Sequence, residues 1–323
     1  MTETDFKQKI DSILKKPYSI QIYLVIKDKE AFTLKKTELD DEKTSPELKR
    51  VFTNSVLNHL VRHDNLQIRK LSETEERENT LYLYDYDTYS KELELFKDFD
   101  INIAVDKYDV FDFTKDSTSD IFGYIIYLGS MEDGIVLFKK HYHVALIKRG
   151  TLLLKRHKTR FELVSDEEML RLNDTFHLIR VGEKIYVRDI KMIEYSMGFK
   201  ELVIREAKES VDAIKGLQIL NDAEEIDDML TNMTFVRKLS RIRKASPIFK
   251  LNIPAKTIVE FTKNTPILSG KFKYSEDGTK ICLNTIKGKE AFIKLMNDEY
   301  LRSELTNQYY DALSKDALSH TSE

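Results

Sequence analysis

The sequence predicts an α+β protein with a mixed or antiparallel central sheet and a helix-rich C-terminal region. Apolar residues recur at helical spacing near the N-terminus and again after Met192, whereas short apolar runs broken by turn residues fill the middle of the chain. Such grouping of strands and helices is typical of the α+β class. Because 323 residues are too many to share one ordinary hydrophobic core, we expect the chain to form three domains or regions. They are an acidic α+β domain over 1–116, a basic β-rich domain over 117–200 and a helical region with a small hairpin over 201–323.

The first segment is expected to alternate helices and strands. Its first helix ends before Pro17, and a second helix begins at Ser45-Pro46-Glu47, with proline at the first helical position. The predicted elements are a helix over 6–14, strands over 20–26 and 31–34, a helix from 45, and a strand over 81–84. Between 85 and 120 the pattern is weak, because aromatic residues alternate with acidic ones without a clear period.

The middle segment is expected to supply much of the sheet, and the last segment most of the helices. Strands are predicted over 121–128, 135–140, 142–148, 152–156, 176–181 and 185–187. Ser165 and Glu168 have the spacing of a capping box, which predicts a helix at 169–172. Further helices are predicted over 202–214, 226–230, 235–244, 258–261, 292–296 and 301–313, with a hairpin around 276–278.

Charge is distributed unevenly along the chain, although the formal net charge is only −3. From Glu73 to Asp133 there are 17 acidic residues against five basic ones. Two other stretches, 134–161 and 229–259, contain no acidic residue at all. Segregated charge of this kind indicates binding partners and says little about fold.

The two acid-free stretches supply the candidate nucleic-acid-binding residues. Each neutralised phosphate releases counterions, so that a row of fixed cations suits a nucleic-acid backbone. On the helix predicted at 235–244, Phe235, Leu239 and Ile242 form the expected buried stripe and leave the cations on another face. The alternative is that these cations pair with the acidic stretch of the same chain or with a second subunit. The candidates are Lys139, Lys140, Lys148, Arg149, Lys155, Arg156, Arg160, Arg237, Lys238, Arg241, Arg243 and Lys244.

The sequence contains no recognisable phosphate-binding loop or nucleophile motif. Gly129 and Gly134 have the spacing of such a loop, but Ile135 and Val136 stand where lysine and serine or threonine are required. Cys282 lies in a strand pattern and has no catalytic setting. We therefore expect a protein that is not an enzyme and uses no cofactor.

Metal binding is not favoured either. His141, His143 and His157 could share a site, but basic neighbours repel a cation and no carboxylate or cysteine is near in sequence. The aspartates between 98 and 112 have a spacing that fits no loop in which oxygen ligands converge. An acidic solvated surface is the better interpretation of those residues.

The composition favours a cytoplasmic protein. The single cysteine, Cys282, cannot form an internal disulfide, which fits a reducing compartment. The polar start of the chain shows no signal peptide, and the longest apolar run, 121–131, is too short to span a membrane. Membrane attachment would therefore require a partner.

Three stretches resemble a known bacterial family. They are Phe176-His177-Leu178-Ile179 with Gly182-Glu183-Lys184-Ile185-Tyr186-Val187 and Ile190-Lys191-Met192-Ile193, then Val236-Arg237-Lys238-Leu239-Ser240-Arg241-Ile242, and 295–306 followed by Tyr309 and Tyr310. Together they resemble the domain family of the B protein of Kiwa, a two-gene anti-phage defence system. Length and N-terminal layout are also similar, so that the resemblance covers the whole chain.

The resemblance implies a homodimeric DNA-binding effector in the cytoplasm, held at the inner membrane by the Kiwa A membrane protein, that blocks phage DNA replication or expression. Double-stranded DNA is the expected ligand, with little sequence preference, because phosphate contacts position a protein but do not specify a sequence. The family offers no catalytic motif, so that DNA binding falls on the basic residues named above. Two alternatives stay open, a metal-dependent nuclease effector and a protein-interaction scaffold without DNA binding.

Overall fold

The structure, a computed structural model, describes residues 3–29, 31–40, 42–73, 77–112, 114–142, 153–157, 160–164, 170–302 and 309–311. They fall into two compact units. The first comprises Met1–Arg69, Glu78–Tyr84 and Tyr89–Met197, and the second Lys70–Arg77, Asp85–Thr88 and Gly198–Glu323. The predicted α+β class is confirmed, because helices accompany a large sheet.

An eight-stranded sheet forms the centre of the first unit. Its strands are β1 (Ser19–Asp28), β2 (Ala31–Lys36), β3 (Gln67–Lys70), β4 (Thr80–Leu83), β5 (Ile121–Gly129), β6 (Gly134–Lys140), β9 (Leu178–Val181) and β10 (Lys184–Val187). The order across the sheet is β2-β1-β5-β6-β9-β10-β4-β3, and the pairings from β2 to β4 are antiparallel. A separate antiparallel ribbon consists of β7 (Leu153–His157) and β8 (Arg160–Val164).

Two helices, α1 (Glu3–Lys15) and α2 (Thr44–Val56), cover one face of this sheet. Phe6 of α1 and Phe52 of α2 belong to the same buried cluster as Ile22 of β1. The apolar residues of both helices recur every three or four positions, which aligns them along the side that meets the sheet. Burial of this shared surface holds the two layers together.

The opposite face is covered by two short helices, α3 (Lys91–Lys97) and α4 (Ile101–Lys107). The ring of Phe99, between them, lies 5.1 Å from the ring of Tyr23, and the rings of Phe96 and Phe138 lie 6.1 Å apart. Strand β5 is consequently buried along its whole length. Burial on both faces explains why its sequence is a continuous apolar run without alternation.

The glycines that have phosphate-loop spacing are explained by the hairpin between β5 and β6. Gly129 and Gly134 are direct cross-strand partners. A Cβ atom on Gly134 would lie 2.3 Å from Cζ of Tyr127, whose hydroxyl donates to the carbonyl of Ser130. These positions therefore require glycine because a tyrosine ring packs on them.

Helices dominate the second unit, and the short helix α5 (Ile190–Ser196) precedes it in the first. The helices are α6 (Phe199–Gly216), α7 (Met233–Ala245), α8 (Pro247–Lys250), α9 (Ala255–Asn264) and α10 (Ile286–Met296). The strand pairs are β11 (Lys273–Tyr274) with β12 (Ile281–Cys282), and β13 (Tyr300–Arg302) with β14 (Tyr309–Asp311). Val203 and Ala207 of α6 and Leu239 of α7 are buried where these two long helices pack together.

Several sequence predictions need correction. The helix predicted at 301–313 is wrong, because Leu301 pairs with Tyr310 across the antiparallel ribbon of β13 and β14. Residues 170–172 are not helical, and the predicted helix at 226–230 is a 3-10 turn at Asp227–Thr231. Most of the strand predicted at 142–148 lies outside the described residues. In the ranges that the structure describes, no helix combines the length and the apolarity needed to cross a bilayer.

Candidate nucleic-acid interface

Helix α7 carries the five candidate cations of the second unit, and one of them is buried. The buried side of the helix contains Val236, Leu239 and Ile242, whereas Phe235 is half-buried. Arg237 is only 8% exposed, so that its expected place on an exposed basic face is wrong. Leu239 and Ile242 are buried as expected, but the buried side also includes Val236 and Ser240 and is therefore wide enough to reach Arg237.

Three further cations of α7 form ion pairs with carboxylates of the same unit. The pairs are Arg241 with Asp85 at 3.3 Å, Arg243 with Glu209 at 2.7 Å and Lys244 with Glu206 at 3.0 Å. This stretch has no acidic residue of its own, but the fold brings carboxylates from other parts of the chain next to it. For this helix the structure therefore favours the alternative that its cations pair with acids of the same chain. Lys238 is half-buried, and in the described part of the chain no carboxylate pairs with it.

Asp85, from the acidic stretch, is held tightly in place for Arg241. The backbone N–H and the hydroxyl of Ser72 donate hydrogen bonds to its two carboxylate oxygens at 3.1 and 2.5 Å. The side chains of Asp85 and Arg241 are 12% and 27% exposed. Limited exposure weakens the solvent screening of this pair, so that Arg241 is poorly placed to exchange its carboxylate for a phosphate.

Lys27 and Lys140 lie in the first unit, over the ring of Phe122 on one face of the sheet. Nζ of Lys140 is 3.7 Å and Nζ of Lys27 is 5.7 Å from the centre of that ring. Burial lowers the pKa of Lys140, and the charge of Lys27 lowers this pKa further. Two cations that share one ring repel each other and would gain from a common anion.

Lys139 and Arg188 point to the other face, because side chains alternate along a strand. Nζ of Lys139 donates to Oγ1 of Thr175 at 2.7 Å. The guanidinium of Arg188, directly after β10, lies 5.2 Å from the ring centre of Phe176, and its Nη2 is 3.3 Å from Nδ1 of His59. Burial lowers the pKa of both cations, and the charge of Arg188 lowers the pKa of Lys139 further.

We call Lys27, Lys139, Lys140 and Arg188 the sheet-end cations. The register places them at one end of the sheet, because Lys140 pairs with Gly123, and Leu178 pairs with both Phe138 and Val187. With about 4.8 Å between strands, the group extends over about 19 Å from β1 to β10. Among the described residues, no carboxylate forms an ion pair with any of the four.

Sequence reasoning found Lys139 and Lys140 but missed Lys27 and Arg188. Each of the missed residues is followed by an aspartate and therefore lies outside the acid-free stretches. The available signal was their position, since each directly follows the apolar run of a predicted strand. The ends of neighbouring antiparallel strands meet at one edge, which is where these cations gather.

Three of the remaining candidates of the first unit lie on the ribbon of β7 and β8. In its backbone register Lys155 stands opposite Glu162, and Arg156 stands opposite Phe161. Arg160 forms an ion pair with Glu162 at 3.0 Å. Lys148 and Arg149 lie outside the described residues, as does His143 of the possible metal site.

Two of the acidic residues between 98 and 112, Asp100 and Asp112, serve local turns. Asp100 caps α4 by accepting from the backbone N–H of Asn102 at 2.9 Å, and Asp112 accepts from that of Thr114 at 2.9 Å. Hydrogen bonds from Thr114 hold the pKa of Asp112 well below its usual range. Within the described ranges, no group of three or more histidines, cysteines or carboxylates is arranged to hold a metal ion.

Comparison with known proteins agrees with the resemblance seen in the sequence. The family model described as Kiwa protein KwaB-like matches residues 118–306. The Kiwa protein KwaB of Escherichia coli O55:H7 (strain RM12579 / EPEC) is 26% identical over 327 residues, covering 98% of this chain and 99% of the relative. No solved structure matches. The chain therefore belongs to the Kiwa protein KwaB-like family.

Proposed function

We propose that this protein is a DNA-binding effector of a Kiwa anti-phage defence system that blocks phage DNA replication or expression. Family membership supports its involvement in the Kiwa system. The observation that supports DNA binding is the group of sheet-end cations, which have no carboxylate partner among the described residues. Double-stranded DNA is the proposed ligand.

Four cations fixed at the end of a sheet suit a phosphate backbone for two reasons. Their backbone positions are set by strand pairing and, for Arg188, by the hydrogen bond from its N–H to the carbonyl of His177, so that few backbone degrees of freedom are lost on binding. Each phosphate that they neutralise releases counterions and contributes about −0.9 to the slope of log K against log salt, or about −3.6 for four. Contacts to phosphate carry no sequence information, which fits binding with little sequence preference.

The same proposal includes protein partners. The protein acts as a homodimer in the cytoplasm and is recruited to the inner membrane by the Kiwa A membrane protein. Leu154 and Leu163, direct partners across the ribbon of β7 and β8, are 58% and 59% exposed. Two apolar side chains side by side in solvent support a protein contact at this ribbon.

Titration of labelled duplex DNA with the full chain, followed by fluorescence anisotropy at several salt concentrations, tests DNA binding. Wild-type protein is expected to bind with a steep salt dependence. Changing all four sheet-end cations to Gln is expected to flatten the slope by about 3 to 4. The matched control changes four exposed cations, Lys16, Lys91, Arg205 and Lys208, to Gln.

The control removes the same charge and therefore measures the general effect of net charge. Equal slopes for the two variants, or no binding by wild-type protein at low salt, would reject the proposed interface. In parallel, supercoiled and linear DNA are incubated with the protein and Mg²⁺ or Mn²⁺. We propose binding without catalysis, so that both DNA forms are expected to stay intact. Cleavage abolished by one acidic substitution would establish the nuclease alternative.

A further inference from the structure

Helix α2 continues into one turn of π-helix, Leu57–Val61, directly beside the sheet-end cations on the α1 and α2 face. The backbone N–H of Arg62 donates to the carbonyl of Leu57 at 2.8 Å, which closes the wide turn. Single π turns inside helices are frequent at functional sites, because the extra residue reorients the side chains around it. Here the turn carries His59, whose Nδ1 contacts Arg188.

Three buried polar atoms on the elements around this turn have no hydrogen-bond partner within the described residues. They are Oγ of Ser55, Nδ1 of His63 and Nη1 of Arg188. Ser55 and His63 lie four residues before and four residues after His59. Buried polar groups are almost always paired, and an unmet charged donor has the largest penalty. The guanidinium of Arg188 is thus a donor that requires an acceptor.

The ring of His177 adds a further donor near Lys139 and Arg188. Nδ1 of His177 accepts from the backbone N–H of Lys140 at 3.0 Å, so that Nε2 of this neutral ring carries its proton. Oδ2 of Asp189 lies 3.9 Å from that Nε2, too far for a hydrogen bond. Oδ1 of Asp189 accepts from the backbone N–H of Met192 at 2.9 Å and caps α5.

The charges in this region are balanced in number but not paired. Lys139 and Arg188 are cationic, and the charge of Arg188 lies close enough to disfavour that of Lys139. Asp174 and Asp189 balance the two cations from a distance, without forming an ion pair with either of them among the described residues. Converging donors with a fixed guanidinium are the features that recognise phosphate oxygens.

We infer that Arg188, His59 and Lys139 form a discrete site for one phosphate group, with Arg188 as the principal ligand. Nη1 of Arg188 donates to a phosphate oxygen, Lys139 supplies a second charge, and His59 orients the guanidinium from its other side. The phosphate belongs either to a nucleic-acid backbone or to a small phosphomonoester. The inference rests partly on the proposed function, because it shares Arg188 and Lys139 with the DNA interface.

Calorimetric titration of the full chain with inorganic phosphate, at an ionic strength held constant with chloride, tests the site. Wild-type protein is expected to bind saturably, and Arg188→Gln to bind roughly tenfold to hundredfold more weakly because a charge-assisted hydrogen bond is lost. Arg50→Gln, which removes an exposed guanidinium paired with Glu47, is the control and is expected to bind like wild-type protein. No saturable phosphate binding, or equal affinity of Arg188→Gln and wild-type protein, overturns the inference.

Circular dichroism checks that Arg188→Gln is folded at the assay temperature. If it is not, Lys139→Gln takes its place, because glutamine also has a side-chain N–H that can donate to Oγ1 of Thr175. Weaker phosphate binding by this folded variant supports the site, and unchanged binding overturns it.

Two further titrations distinguish the sources of the phosphate. If the backbone of DNA occupies the site, Arg188→Gln weakens duplex binding and phosphate competes with DNA more strongly than chloride does. If a phosphomonoester is the ligand, AMP binding is lost in Arg188→Gln while its DNA affinity equals that of Arg50→Gln. Failure of the DNA proposal has a different signature, which is phosphate binding by wild-type protein in the absence of any DNA binding.

Discussion

Nζ of Lys244 on α7 lies 3.0 Å from Oε1 of Glu206 on α6, and Glu206 is 5% exposed. The hydroxyl of Thr88 donates to the same carboxylate oxygen. A buried carboxylate is tolerated only where partners compensate the loss of water, and Lys244 supplies the compensating charge. The pair therefore stabilises the packing of α6 against α7.

Lys244→Ala is expected to lower the free energy of unfolding by about 1.5 to 3 kcal/mol, because Glu206 is left buried with a hydroxyl as its partner. Urea denaturation followed by circular dichroism measures the change. Lys238→Ala on the same helix is the control, expected to change stability by less than about 0.5 kcal/mol. Similar losses in the two variants would contradict a structural role for the Lys244 pair.

Gly134→Ala is expected to destabilise the hairpin between β5 and β6 by about 1 to 3 kcal/mol, because overpacking forces side chains and backbone apart. The new Cβ would lie 2.3 Å from Cζ of Tyr127. Gly216→Ala at the end of α6 is the matched control, since nothing lies within 4 Å of its added Cβ. Alanine there is expected to be neutral or to stabilise by up to about 1 kcal/mol. Urea denaturation of both variants decides whether contact with Tyr127 is the reason that position 134 requires glycine.

The stability of the first unit is expected to fall as pH decreases from 6.5 toward 4. Burial lowers the pKa of His177 to about 4, and the charges of Lys139, Arg188 and Lys140 act in the same direction. The charge of Asp189 opposes them. Between the two pKa values the unfolded chain binds a proton that the folded chain does not, so that unfolding is favoured by up to about 3 kcal/mol at the acid end.

His177→Asn removes this titration while its amide oxygen can still accept from Lys140 N–H. The free energy of unfolding of the variant is therefore expected to vary less between pH 6.5 and pH 5, a range in which ordinary carboxylates stay ionised. Denaturation at a series of pH values measures both slopes. An unchanged slope in His177→Asn would show that another group controls this range.

Local pattern predicted the long or strongly apolar elements and failed where a pattern was short. Strand β5 was predicted because eight consecutive apolar or small residues indicate a strand that is buried on both faces. Helices α3 and α4 were missed because seven residues span fewer than two turns, too few to establish a helical period. Leu301, Leu305 and Tyr309 recur at four-residue steps, which is compatible with a helix, yet Leu301 and Tyr309 lie in paired strands.

The candidate site shows the same limit for charge. The sequence of α7 has no acidic residue, but its partners come from distant positions such as Asp85 and Glu206, which only the tertiary fold brings close. Lys27 and Arg188 were missed for the converse reason, because the aspartates beside them in sequence do not pair with them in space. Local composition therefore misjudges which cations are neutralised.

Ion-paired cations of the second unit, such as Arg243 on α7 and Lys256 on α9, are expected to contribute less to DNA binding than the sheet-end cations. A paired cation must first give up its carboxylate, so that binding a phosphate there releases fewer counterions. Lys27→Gln with Lys140→Gln is expected to flatten the slope of log K against log salt by about 1.8. Arg243→Gln with Lys256→Gln, two cations paired with Glu209 and Glu260, is expected to flatten it by less than about half as much.

The two double variants change net charge equally, so that general electrostatic attraction cancels in the comparison. Fluorescence anisotropy with one duplex at the same series of salt concentrations gives both slopes. Circular dichroism and urea denaturation verify that each variant is folded, because Lys140 packs on Phe122 and contributes to the sheet end. A flatter slope for the Arg243 and Lys256 variant than for the Lys27 and Lys140 variant would mean that ion-paired cations of the second unit are the principal DNA contact. Their ion pairs would then have to open when DNA binds.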